Sequence, residues 1–205
     1  GGLLHLFSGD AERADGFAAI ARVLGFHCIE RDTVIDESHN LANDAVFAEI
    51  LQLIASGAIR GAVMGTPCST FSVLRIPQND SRPAGPPQLR DRRHPMGVPD
   101  VPRQNLNELA VANLLVRRTV LIAQALADAG ATFIIENPPD RGDGPLYQAK
   151  FASHAPLWLV PEVVELVQRT GARMITFPQC ALGSRYQKWT SLLVSPELEP
   201  FLRDL

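Results

Sequence analysis

A chain of 205 residues, 46% hydrophobic and 20% charged, with a mean hydropathy near zero (+0.03), can bury a substantial core and is expected to form one domain over residues 1–205. Its net charge of −3 gives no global sign of a polyanion partner. Cys28, Cys68 and Cys180 are odd in number and widely spaced, which argues against a disulfide framework and for a reducing, intracellular compartment, cytoplasmic or, in a eukaryote, nuclear. No apolar run reads as a membrane span, no secretory leader is signalled, and the five histidines form no Cys/His cluster of metal-ligand spacing, so neither membrane nor metal is expected.

Leu3-Leu4-His5-Leu6-Phe7 reads as a short apolar strand, Ser8-Gly9-Asp10 as a turn, and Asp15 to Leu24 as a helix with small packing faces, closed by Gly25. Strand, glycine turn and helix open a nucleotide-binding βαβ unit, in which turn amides face the ligand. His27 to Asp32 reads as a second strand ending in acids. A doubly wound sheet sets a carboxylate against a ribose there, and Glu30 and Asp32 both qualify. Asn43-Asp44 then caps a helix running to about Ala55, with Asp44 either part of the cap or an acceptor for a ligand amino group.

Gly61 to Met64 reads as a buried strand that delivers Gly65-Thr66-Pro67-Cys68-Ser69-Thr70-Phe71-Ser72 to the edge where open α/β sheets place their chemistry. A lone cysteine in such a turn is more often structural than reactive. Pro67 and the hydroxyls of Ser69, Thr70 and Ser72 turn the balance towards a nucleophile. Residues 75–104 are rich in proline and lack periodicity. They carry Arg75, Arg82, Arg90, Arg92, Arg93 and Arg103 against Asp80, Asp91 and Asp100, and are expected to form a mobile loop facing phosphates, although on charge alone a solvated loop fits equally well.

A long helix is expected from about Asn105 to Ala129, with Asn113 polar amid its apolar positions. Ala131 to Ile135 reads as a strand ending in Glu136-Asn137-Pro138-Pro139. It brings Glu136 to the same edge as Cys68, either to share a proton or simply to cap the strand. Asp140 to Pro161 has loop composition, and a helix follows from about Glu162 to Thr170. Arg173 to Phe177 and Ser191 to Ser195 read as strands of a hairpin whose loop carries Arg185 and Lys188, towards a site or towards water.

Four of these stretches stand in the order and spacing of motifs from the DNA cytosine-C5 methyltransferase family, which the chain resembles along nearly its whole length. Leu6-Phe7-Ser8-Gly9 looks like the family's first motif, and Gly65 to Ser72 like its Pro-Cys-Gln-x-Phe-Ser nucleophile motif with Ser69 in the Gln place. Glu136-Asn137-Pro138 is similar to its Glu-Asn-Val motif, and Leu182-Gly183 through Val194 to its late Gln-x-Arg-x-Arg hairpin. The resemblance implies an α/β fold: a Rossmann-like doubly wound sheet of the class I S-adenosylmethionine-dependent methyltransferase type, with a rudimentary recognition insertion at 140–172. It implies S-adenosylmethionine as cofactor, held by Phe7, Ser8, Gly9, Asp10, Glu30, Asp32, Asp44, Gly65 and Pro67. DNA is the implied partner, met by Ser69, Arg75, Arg90, Arg92 and Arg93. In the implied chemistry Cys68 attacks C6 of a cytosine turned out of the stack. Glu136 binds the ring N3 and amine, Lys188 or Arg185 holds O2, and C5 takes the methyl group.

The chain also departs from the family pattern. Asp10-Ala11-Glu12 replaces a glycine pair, and Tyr186, Lys188 and Thr190 stand where the hairpin has Gln, Arg and Arg. The family's last motif, a Gly-Asn helix, is absent, which leaves the cofactor pocket to be completed by a second segment or chain. Two alternatives follow: the same fold acting on another nucleic acid, a nucleotide or with a modified S-adenosylmethionine, and a degenerate binding module without turnover. A thiol hydrolase is a third. It needs a histidine beside Cys68, and His94, the sequence-near candidate, has no identifiable orienting acid.

Overall fold

The structure, a computed structural model, describes residues 1–10, 16–77 and 85–205. Ala11, Glu12 and Asp15, at the expected first turn and helix start, lie outside the described residues, as do Asp80 and Arg82 of the arginine-rich stretch.

Six strands form one mixed sheet: β1 (Gly2–Leu6), β2 (Cys28–Arg31), β3 (Ile59–Met64), β4 (Thr132–Asn137), β5 (Arg173–Pro178) and β6 (Trp189–Val194), in the spatial order β2-β1-β3-β4-β6-β5. The first four run parallel, with Leu6 beside both Arg31 and Met64, and Met64 beside Ile135. Their C-terminal ends therefore meet at one edge. β6 inserts antiparallel between β4 and β5, so its first residues return to that same edge, Ser191 opposite Asn137. The chain winds both ways from β1, to β2 on one side and to β3 on the other, which opens a crevice at the strand ends.

Helices cover both faces because successive strand side chains point to opposite sides. Leu4, Leu6, Met64, Phe133 and Ile135 pack against α2 (Asp44–Ala55), α3 (Leu106–Asp128) and α4 (Pro161–Thr170) through Ile50, Ile54, Val116, Ile122, Leu126 and Leu166. On the other face Ala18 and Ala21 of α1 (Phe17–Val23) lie on Leu3 and Cys28, while Leu202 of α5 (Glu199–Leu202) packs with the cluster around Ile175, Phe177 and Val194. The expected α/β, doubly wound arrangement is present.

Local chemistry sets the element ends. The Asn43 side chain accepts from the Ala45 N–H and caps α2, while Gly171 ends α4 in the left-handed region (φ 69°). β4 runs two residues further than expected, so Glu136 and Asn137 belong to the strand itself. Contrary to the expectation of no apolar span, α3 is long and apolar enough to cross a membrane by length and composition. Its Leu109, Val116, Val120, Ile122 and Leu126 are buried against the protein core, and Arg118 is buried on the same helix.

Candidate active site

The edge where β1, β3 and β4 end is tied together by three local features. Phe7 leaves β1 with φ 56°, a left-handed conformation that costs a non-glycine residue energy and marks a functional turn more often than an accident. Gly65 passes so close that a Cβ there would lie 3.1 Å from the Phe7 carbonyl oxygen, and its N–H donates to Leu6 O at 3.0 Å. Asn137, fully buried, donates from Nδ2 to Thr66 O at 2.7 Å, fastening the start of the cysteine turn to β4.

Cys68 follows as an exposed free thiol at the start of a 3-10 turn, Ser69–Phe71. Enough protein crowds the sulfur that desolvation raises its pKa; the Glu136 carboxylate raises it further, and the Lys188 ammonium pulls it down. Lys188 Nζ lies 3.6 Å from Glu136 Oε1, a buried oxygen with no hydrogen-bond partner among the described residues. Cys68, Glu136 and Lys188 are thus neighbours, delivered by β3, by β4 and by the loop entering β6. Arg185, on the same hairpin loop, is exposed and takes no part in this cluster. His94 does have an orienting acid, Asp91 Oδ1 at 3.0 Å from Nδ1. The charged groups acting on the Cys68 thiol are nevertheless Glu136 and Lys188, so a Cys–His pair is not formed by His94.

Beside this cluster lies a cleft of about 440 Å³, lined by Phe7 and Gly9 after β1, Arg31, Asp32 and His39 around the end of β2, Gly65 and Pro67 after β3, and apolar Leu41, Val111 and Leu115. Asp32 organises its polar wall. Oδ2 accepts from the Gly9 N–H and Oδ1 from the Val34 N–H, both at 2.8 Å, and each oxygen keeps a lone pair for a ligand. Of the two acids read as ribose partners, Glu30 is displaced from this role. Within β2 it pairs with Arg22 of α1 at 2.5 Å, whereas Asp32 lies past the strand end at Arg31, where the chain turns along the cleft. Asp44 is also a correction: it pairs with Arg118, and the α2 cap is Asn43. Ser8 and the exposed Asp10 are outside the cleft lining.

The expected phosphate contacts change most. Arg90 is 2% and Arg75 8% exposed, so neither presents its charge to a polyanion. Arg75 donates from Nε to Ser69 O at 2.7 Å and from Nη1 to Pro87 O at 3.1 Å, and pairs with Glu108. Arg92 donates to both carboxylate oxygens of Asp140. Ser69 and Arg93 remain exposed. The segment from Gly85 onward is packed rather than free: Leu89 is fully buried, and Asn113 Nδ2 donates to Met96 O at 2.8 Å. The insertion reaches the cysteine turn through His154, whose Nδ1 accepts from the Arg141 N–H; the ring proton therefore sits on Nε2 and is donated to Phe71 O at 2.8 Å. That link spans 83 residues, and no local pattern in the sequence marks it.

No protein-family model matches the chain, and no curated protein does. Among solved structures it is similar to the S. pombe Dnmt2 methyltransferase at 12% identity and a TM-score of 0.45, over 94% of this chain and 50% of that one. The chain thus spans about half the length of that protein.

Proposed function

We propose that the chain transfers a methyl group from S-adenosylmethionine to C5 of a cytosine in DNA through a covalent adduct on Cys68. The observation that carries the reading is the meeting of Cys68, Glu136 and Lys188 beside the cleft at the β1/β3 crevice. Four motifs in family order, read from the sequence, add to it.

The cleft residues fit the cofactor. Asp32 keeps acceptor capacity for a ribose diol, Leu41, Val111 and Leu115 offer apolar surface to a base, and the close approach at Gly65 lets backbone line the wall. S-adenosylmethionine, when bound, supplies an electrophilic methyl group. The protein's own groups do the rest. Cys68 releases its proton to solvent and forms a bond from sulfur to C6, which sends an electron pair towards C5. Glu136, protonated from solvent, donates to the ring N3 and accepts from the exocyclic amine, and Lys188, its ion-pair partner at 3.6 Å, holds O2 as negative charge develops. Once C5 carries the methyl group, its proton leaves to solvent, the ring double bond re-forms and the bond to Cys68 breaks.

A second reading, transfer to RNA or to a free nucleotide, is favoured by one observation. With Arg75 and Arg90 internal and Arg92 paired, fewer cations remain for a duplex backbone. One experiment addresses both readings. S-adenosylmethionine and its demethylated product are titrated calorimetrically, and the full chain is then incubated with labelled cofactor and DNA, RNA or cytidine nucleotides. Mass analysis of the recovered base is expected to show 5-methylcytosine from DNA, and Cys68→Ala is expected to abolish transfer while cofactor affinity is retained. Full activity in Cys68→Ala would refute the covalent route. Cofactor binding without product on any substrate would leave a binding module.

A further inference from the structure

Arg90 holds the turn that carries Cys68. Its Nε donates to Thr70 Oγ1 at 3.1 Å and its Nη1 to Pro95 O at 2.6 Å, and the guanidinium carbon sits 4.1 Å from the centroid of the Phe71 ring. No acid pairs with it among the described residues. The charged group acting on it is Arg75, another cation, and burial together with that neighbour lowers its pKa to about 10. Its Nη2 has no hydrogen-bond partner among the described residues. Burying a cation without a counterion costs stability, and an apolar side chain of similar volume fills such a place at least as well. What the guanidinium supplies instead is geometry. A planar fork joins Thr70, two residues beyond Cys68, to the loop at Pro95 while its face lies on Phe71. His154 holds the same turn at a second point, the Phe71 carbonyl.

We propose that Arg90 is a positioning residue for Cys68, locking the 68–72 turn so that the thiol is presented beside Glu136. The proposal rests on the function given above for its consequence in catalysis, and on the hydrogen bonds alone for its effect on the thiol.

The test uses the full chain carrying Cys180→Ser, which leaves Cys68 as the exposed thiol among the described residues. Alkylation of Cys68 by iodoacetamide is followed by intact mass as a function of pH, without cofactor or nucleic acid, and methyl transfer is measured separately. Arg90→Met is expected to keep the fold, since it replaces a buried charge with an apolar chain. It is expected to shift the alkylation midpoint to lower pH as the thiol leaves its recess. It should also lower kcat by about 10–100-fold, the usual cost of a misplaced reacting group, with cofactor affinity unchanged. Arg90→Lys, which keeps the charge but not the fork, should fail to restore either readout. An Arg90→Met protein whose alkylation profile and kcat both match the parent overturns the proposal, whatever its melting temperature. Should Arg90→Met not fold, Thr70→Val cuts the same bond from its other end. The same shift in alkylation then supports the proposal, and an unshifted profile overturns it. A shifted profile in a chain with no methyl transfer on any substrate supports the positioning role and rejects the function. Active transfer with an unshifted profile does the reverse.

Discussion

Asn137 is where fold and proposed chemistry share one hydrogen bond, so its replacement is the most informative perturbation. The side chain is fully buried at the end of β4 and donates at 2.7 Å to the carbonyl of Thr66, itself 2% exposed and two residues before Cys68. Asn137→Leu keeps the volume and removes the donor, leaving a buried carbonyl unpaired at a cost of about 1–3 kcal/mol. Part of this is offset, because Asn137 Oδ1 has no partner among the described residues and its own desolvation disappears with it. A net loss of about 1–2 kcal/mol remains, which for a chain of this size lowers the melting temperature by about 2–8 °C. Asn137→Asp preserves shape, but at neutral pH its carboxylate sets a buried acceptor against the Thr66 oxygen, and regaining a donor requires protonation against solvent, so it should cost more than Leu. Thermal unfolding followed by circular dichroism, with urea titration as a check, orders the proteins as parent, then Leu, then Asp. An Asp variant as stable as the parent, or a Leu variant with no loss, would falsify the argument that this bond fastens the cysteine turn to the sheet.

The Cys68 thiol should titrate above its ordinary value, since burial and the Glu136 charge both raise it and Lys188 only partly opposes them. In Cys180→Ser protein its alkylation by iodoacetamide should therefore climb at a higher pH than that of free cysteine. Glu136→Gln should move the midpoint down and Lys188→Met should move it up; shifts of the opposite sign would show that these are not its governing neighbours. Burial pulls Asp140 upward, but the Arg92 guanidinium, by hydrogen bond and charge, and the Gly142 N–H together draw its carboxyl below the usual range. A depressed carboxylate stabilises the fold above its unfolded pKa, about 3.9, and loses that contribution as pH falls through the lower folded value. Urea midpoints are accordingly expected to drop below about pH 4 in the parent and to be less acid-dependent in Asp140→Asn. Equal slopes in the two proteins would remove Asp140 from the account of acid stability.

The element order was readable from the chain because each strand is a short apolar run beside a turn and each long helix repeats its apolar residues at helical spacing. α3, expected from about Asn105 to Ala129, runs from Leu106 to Asp128, and the hairpin of β5 and β6 lies where its two apolar runs meet the 179–188 loop. The candidate cluster was equally legible, since Cys68 and Glu136 each stand just beyond or within the end of a buried strand, and parallel strands bring such ends to one edge. Between Glu30 and Asp32 local pattern had no basis for choice. In the fold β2 ends at Arg31, so Glu30 stays in the strand and pairs with Arg22 of α1, while Asp32, past the strand end, turns to the cleft.

The arginines mark the limit of what one dimension holds. Composition reports that residues 75–104 are basic, and a solvated, phosphate-facing loop follows from that alone. Whether a guanidinium faces water or the interior depends on what the rest of the chain places around it, and those groups come from far away: Glu108 for Arg75, Asp140 for Arg92, Phe71 and Thr70 for Arg90. The sequence by itself determined the strands, the helices and the edge at which Cys68 and Glu136 meet, because these depend on periodicity and chain order. Only the tertiary structure decided which charges turned inward to tie segments together, because burial and hydrogen-bond geometry arise between segments that have no neighbour relation until the chain has folded.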